Sequence, residues 1–252
     1  MALPEFLKGS SELSVSGPKV IATFDIFGLK INFTETIILE WIVMAIILGA
    51  AFFLTRNLKV HNISKRQVIA EMAVEAITNL VCSTMGEKWK HYTPYIATQF
   101  TFLICGSLLS LTGLRAVTSD FSVMIAWALV SFVLITATKI RSGGIGGYFK
   151  GMLDPVPVML PMNIVSEFAT PVSLAFRHFG NIAGGGVIMA LVYCGLTGAS
   201  HAIGLDIPIL TVGIPAVLSL YFDLFSDFIQ AFIFCMLTMV FISNAADDGE
   251  TA

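Results

Sequence analysis

The 252-residue chain reads as an all-α membrane protein with about five membrane helices and one amphipathic interfacial helix, the last two membrane helices long and strongly tilted as a hairpin. Three observations predict this class. Hydrophobic residues make up 56% of the chain and charged residues 12%, about half the charged share of a soluble domain, and the mean hydropathy is +0.85. The apolar residues fall in long runs separated by charged segments. Two of those runs, 161–196 and 207–246, would measure roughly 50–60 Å as continuous helices, too long to stand upright in ~30 Å of hydrocarbon.

Residues 1–35 are polar and broken, and 1–13 lack the apolar core of a signal peptide, so the mature chain is expected to begin there. VIATFDIFGLKINFT at 20–34 alternates like strands around Phe27-Gly28, predicting a short hairpin at the membrane surface. A first span follows at 36–55, with Arg56, Lys59, Lys65 and Arg66 directly after it. Within 64–85, Val68, Met72, Ala73, Ala76, Ile77, Leu80 and Val81 recur at helical spacing apart from Glu71, Glu75 and Asn79, the pattern of an interfacial helix rather than a span. Lys88, Lys90 and His91 precede a second span at 92–114, and a third runs from 121 to 138 before Lys139 and Arg141. Between those spans Arg115 is the sole basic residue. The excess of Lys and Arg assigns 56–91 and the 139–160 loop to the cytoplasm, and the N-terminal segment 1–35 and the 115–120 turn to the outside.

Segment 161–252 is expected to form the tilted hairpin, turned at 197–206, with its C-terminus cytoplasmic; Pro171, Pro208 and Pro215 are candidate kinks. Division of each long run into two ordinary spans is the alternative, but neither run contains a polar break long enough for a turn. Arg177 is the last Lys or Arg in the chain and sits midway through the first run. A guanidinium stays charged at every accessible pH, so a fixed cation lies at membrane depth, where ionisable residues are costly and mark function. Ser173 and Asn181, one turn to either side, share its face and can bond water, the guanidinium or a neighbouring helix. On the second run Asp223, Asp227 and Gln230 fall at i, i+4 and i+7, one face of an α-helix. Two carboxylates and an amide there need hydration or a charged partner.

PVSLAFRHFGN at 171–181, followed by IQAFIF at 229–234 and LTMV at 237–240, resembles subunit a of the F-type ATP synthase, the stator of a membrane rotary motor. The likeness extends over the whole chain. It implies a hairpin lying beside a rotor ring of c subunits, each carrying one carboxylate, and two aqueous half-channels that load and unload that carboxylate from opposite sides. Arg177 would separate the half-channels, favouring the ionised ring carboxylate and repelling an ion that might cross directly. Gln230 matches the family glutamine near that arginine, and Asp223 matches a position held by His or Glu in relatives, a proton-handling role in the outer half-channel. Glu167 resembles the acidic residue of the cytoplasmic half-channel. No family role is carried over to Asp227, leaving a hydrogen-bonded polar pair and a direct role both open.

The chain departs from the pattern nine residues after the arginine, where relatives carry Glu or His and this sequence has Gly186 in the run 184–186. Either Asp223 and Asp227 then work with water alone, or the relay partner has moved, with His178 one option and a packed histidine the other. The three glycines are read as permitting close helix approach. Further implied partners are the peripheral-stalk b subunits, the rest of the synthase and the lipid bilayer; a bacterial cytoplasmic (inner) membrane is the expected location. No nucleic acid is expected, since the net charge is −3 and no basic stripe occurs. Cys82, Cys105, Cys194 and Cys235 lack metal or redox spacing, so no metal site is assigned. GIGGYFKG at 144–151 lacks the Gly-Lys-Ser/Thr ending of a phosphate loop and is read as cytoplasmic loop; no cofactor and no catalytic residue is expected. A self-contained ion-coupled secondary transporter is the alternative class, and the internal repeat that would mark it is not found.

Overall fold

The computed structural model describes residues 19–26, 29–56, 58–59, 64–112, 114–153, 156–202 and 210–251. Strands β1 (Val20–Ile26) and β2 (Leu29–Thr34) pair antiparallel from Ile26↔Leu29 to Val20↔Thr34, with an irregularity between Val20 and Ala22. The connecting residues Phe27 and Gly28 lie outside the described set. The base of this hairpin is tied to the first helix by the Glu35 amide, which donates to the Lys19 carbonyl at 3.0 Å.

Among the described residues seven α-helices follow: α1 (Glu35–Thr55), α2 (Lys65–Met85), α3 (Thr93–Leu108), α4 (Phe121–Leu153), α5 (Leu160–Ala202), α6 (Leu210–Ser219) and α7 (Asp227–Thr251). The chain is an all-α membrane protein. Among the described residues six helical segments are long and apolar enough to cross a bilayer: α1, α2, Glu87–Thr112, α4, Pro157–Ser200 and Val217–Ala246. Five of them coincide with the spans read from the sequence, and the sixth is α2. Its start is built locally, with the Ser64 hydroxyl capping the Gln67 amide and Gln67 bonding the Lys59 backbone and Glu71. Arg66 lies over the Phe53 ring at 4.3 Å, which docks this end against α1.

Two expectations about irregular segments are corrected. The glycine-rich stretch expected as loop is helical through Leu153, interrupted only at Gly144, whose φ of 71° and ψ of 171° suit a residue without Cβ. That break lets the end of α4 turn onto α5, where the Asn163 side-chain amide donates to the Met152 carbonyl at 2.9 Å. The hairpin turn expected from residue 197 begins later, because α5 continues to Ala202; residues 203–209 lie outside the described set. Pro171 sits inside α5 without ending it. Membrane helices tolerate such prolines where neighbours and side chains satisfy the freed backbone groups.

At 43 residues α5 is one helix of roughly 65 Å, about twice the hydrocarbon thickness. The second long run is helical throughout its described length but changes type: a π-helical turn, Leu220–Ser226, joins α6 to α7. The two helices of the pair occupy different surroundings. α7 is central, its Ala231 and Phe234 entering one core with Leu39, Val43, Phe102, Leu103, Met124 and Ala128, while Cys235, Met239 and Ile242 pack with Val81, Met85 and Ile96. Among the described residues α5 contributes Leu174 and Ala175 to the first core, with Phe179 packed against it, and leaves large side chains such as Val165 and Phe168 exposed. Buried residues of α7 thus spread over a broad face, whereas those of α5 form one narrow inward stripe.

Candidate functional site

Arg177 projects from the exposed side of α5, as do Ser173 and Phe176, while the neighbouring Leu174, Ala175 and His178 are buried. Among the described residues no hydrogen bond or ion pair reaches its guanidinium. A permanent cation therefore stands on an apolar, outward helix surface, with hydrocarbon side chains around it.

The same helix turns polar groups inward. Asn181 donates from its side-chain nitrogen to the Ser226 hydroxyl at 2.6 Å, tying α5 to the π turn. Four residues on, Gly185 is buried, and a Cβ built there would lie 3.3 Å from Phe222 Cδ1. Both contacts flank Asp223 on the π turn, so its backbone is held alongside residues 181–185 of α5; its side chain lies outside the described set. Close helix approach is thus the work of Gly185 alone among the three glycines, since Gly184 and Gly186 have nothing within 4 Å of a built Cβ. Gly186 is exposed.

The π turn bears on the expected single face. The i, i+4, i+7 spacing was read for an α-helix throughout, whereas the turn that carries Asp223 has the wider i→i+5 hydrogen bonding of a π-helix. Asp227 and Gln230 are both buried, at 5% and 8% exposure, on the side of α7 that meets the bundle. Arg177 and Gln230 accordingly belong to different surroundings within this chain, one exposed and one enclosed.

His178, adjacent to Arg177, points the other way. Its ring is fully buried and meets the Phe234 ring edge-on at 6.1 Å. The Gln230 backbone stands close to the ring, yet neither ring nitrogen reaches hydrogen-bond geometry among the described residues. This is a histidine packed at the α5–α7 interface. Toward the start of α5, Glu167 is half-buried and accepts a hydrogen bond at 3.0 Å from the Tyr148 hydroxyl, on the part of α4 beyond the Gly144 break.

Sequence reasoning missed three participants. Ser226 and Phe222 became visible only when the π turn brought them to α5, and Tyr148 was concealed by reading its glycine-rich segment as loop. The only signal for Tyr148 was an aromatic hydroxyl within that segment, too generic to find Glu167.

The ATP synthase A chain family matches residues 37–243. The chain is 33% identical over 233 residues to the protein named ATP synthase subunit a, sodium ion specific, of Propionigenium modestum, covering 86% of this chain and 75% of that one. It is 33% identical over 216 residues to ATP synthase subunit a 1 of Crocosphaera subtropica, covering 85% and 87%. It is 34% identical over 223 residues to ATP synthase subunit a of Desulforamulus reducens, covering 88% and 82%. With an all-α membrane architecture and a match along nearly its whole length, this chain belongs to the ATP synthase A chain family, the ion-translocating, non-catalytic subunit a of the synthase membrane sector.

Proposed function

We infer that this subunit is the stator half of a rotary ion path, offering two half-channels to a carboxylate on a ring of c subunits and separating them with Arg177. The observation that carries this reading is the position of Arg177: exposed, on apolar α5, and without an ion pair among the described residues. Left so in lipid, an arginine at the helix centre costs about 3 kcal/mol on insertion scales. An anionic partner on a facing chain would offset that cost, and a passing ring carboxylate is such a partner. The apolar side chains around it, Phe168, Val172 and Phe176 among them, suit a helix surface that slides past another.

The polar groups divide by position. Asp223 on the π turn serves the outer half-channel, with Asn181 holding that turn and Asp227 and Gln230 lining the enclosed side. Glu167, ten residues before Arg177 on α5, serves the cytoplasmic half-channel, and Ser173 lies between them on the exposed side. A tilt of α5 across the bilayer accommodates its length and lays Arg177 near mid-membrane. The distribution of Lys and Arg supports an outside N-terminus and a cytoplasmic C-terminus, the amphipathic spacing of α2 supports an interfacial helix, and the bacterial relatives support residence in a bacterial cytoplasmic membrane. The b subunits of the peripheral stalk complete the stator.

The test is Arg177→Ala in the intact complex. Coupled ATP synthesis should be lost while the assembled subunits are retained, because the deleted group makes no packing contact in the core. Cys probes at residues 173–181 should crosslink to the ring helix that carries the carboxylate. Wild-type synthesis in an assembled Arg177→Ala complex, or crosslinking only to a second copy of this chain, refutes the assignment. Repeating ATP-driven transport with and without sodium identifies the coupling ion.

A further inference from the structure

The half-buried pair at the cytoplasmic end of the site has a geometry that the family reading leaves unused. Gly144 breaks α4, and the helical stretch beyond it brings Tyr148 against α5. The Tyr148 hydroxyl donates to Glu167 Oε2 at 3.0 Å, across nineteen residues of sequence. The ring that carries this hydroxyl is flanked by the Lys139 ammonium, 5.8 Å from its centroid. The Asn163–Met152 bond at 2.9 Å lies one turn before Glu167 and fixes the same two segments together. The tyrosine is therefore held from the α4 side, and one carboxylate oxygen of Glu167 is held by the tyrosine.

We propose that Tyr148 is a positioning residue for ion transfer in the cytoplasmic half-channel, fixing Glu167 through Oε2 so that Oε1 faces the aqueous path and exchanges the ion. This rests on the assignment of Glu167 to that half-channel. A carboxylate oxygen engaged by a phenol O–H has one acceptor direction fewer and a restricted rotamer, so the ion meets a single presented oxygen instead of a mobile group. The glycine at 144 is part of the device, because the left-handed backbone there aims the tyrosine at α5.

The experiment uses the intact complex in inverted vesicles, where the bath sets the pH at the cytoplasmic face. A potential-sensitive dye follows ATP-driven transport of either ion. Tyr148→Phe removes one oxygen and keeps the ring. Transport per assembled complex should fall roughly 3- to 20-fold, the range of one interhelical hydrogen bond in a membrane, and its dependence on bath pH should be displaced. In a Glu167→Gln background Tyr148→Phe should produce no further change, although glutamine keeps an acceptor oxygen and would preserve a purely structural bond. A Tyr148→Phe complex with wild-type rate and pH profile overturns the proposal. So does an equal loss in both backgrounds with the profile unmoved, which is the signature of helix packing alone. Glu167→Gln at the wild-type rate overturns the Glu167 assignment and the proposal with it, whereas a crippled Glu167→Gln beside a neutral Tyr148→Phe overturns the proposal alone.

Discussion

Adjacent glycines on α5 should respond in opposite ways to added side chains. A Cβ at Gly185 would lie 3.3 Å from Phe222 Cδ1 and 3.6 Å from its Cβ and Cγ, whereas a Cβ at Gly186 meets nothing within 4 Å. Alanine in a helix interior is favoured over glycine by about 1 kcal/mol. At 186 that gain is unopposed, so Gly186→Ala should be neutral or slightly stabilising. At 185 the Phe222 ring must yield by a few tenths of an ångström, which offsets the gain. Leucine separates the sites clearly. Overpacking of a close contact costs roughly 1–3 kcal/mol, a factor of about 5–150 in the equilibrium that keeps the π turn seated on α5. The assay is heat-induced loss of this chain from purified intact complexes, with ATP-driven transport measured on the fraction still assembled. Gly185→Leu should lower both, and Gly186→Leu should leave retention unchanged. Equal damage at the two positions, or greater damage at 186, would refute the packing derived for α5 and the π turn. Gly186→Glu, which restores the residue type implied by the family resemblance, should likewise assemble.

Other changes probe the same interface. Asn181→Ala and Ser226→Ala each remove one end of the 2.6 Å bond; each should cost about 0.6 kcal/mol and the pair no more than either alone, so additive losses of thermal retention would discount the bond. Asp223→Asn should reduce ATP-driven transport severely and Asp227→Asn less, since the outer half-channel role is assigned to Asp223 and Asp227 is enclosed in the bundle; the reverse order would transfer the outer-side role to Asp227. Replacing His178 by Leu, similar in size and without nitrogens to leave unbonded, should preserve both assembly and transport. A dead but assembled His178→Leu complex would make the histidine part of the ion path.

The membrane class, the long terminal helices and the presence of a fixed cation, Arg177, within an apolar helix were legible in the sequence because each rests on a local or additive property. Hydropathy sums along a segment, and a guanidinium keeps its charge wherever it is put. The same holds for α1, whose 21 residues are bounded by a hairpin and a basic cluster. What the linear pattern could not supply was the side on which each helix would be covered. Spacing of i, i+4 and i+7 assumed an α-helix through Asp223, where the structure has a seven-residue π turn. Three consecutive glycines look alike in sequence, yet only Gly185 meets Phe222, because a contact between residues 37 positions apart depends on how two helices cross. Ser142–Gly151 reads as loop by composition, but packing of Tyr148 and Met152 against α5 recovers the helix around a single break at Gly144. Local chemistry determined which groups this protein carries into the membrane. Only long-range packing decided that Arg177 faces outward while His178 and Gln230 are enclosed, since burial is a property of neighbours that the chain brings from afar.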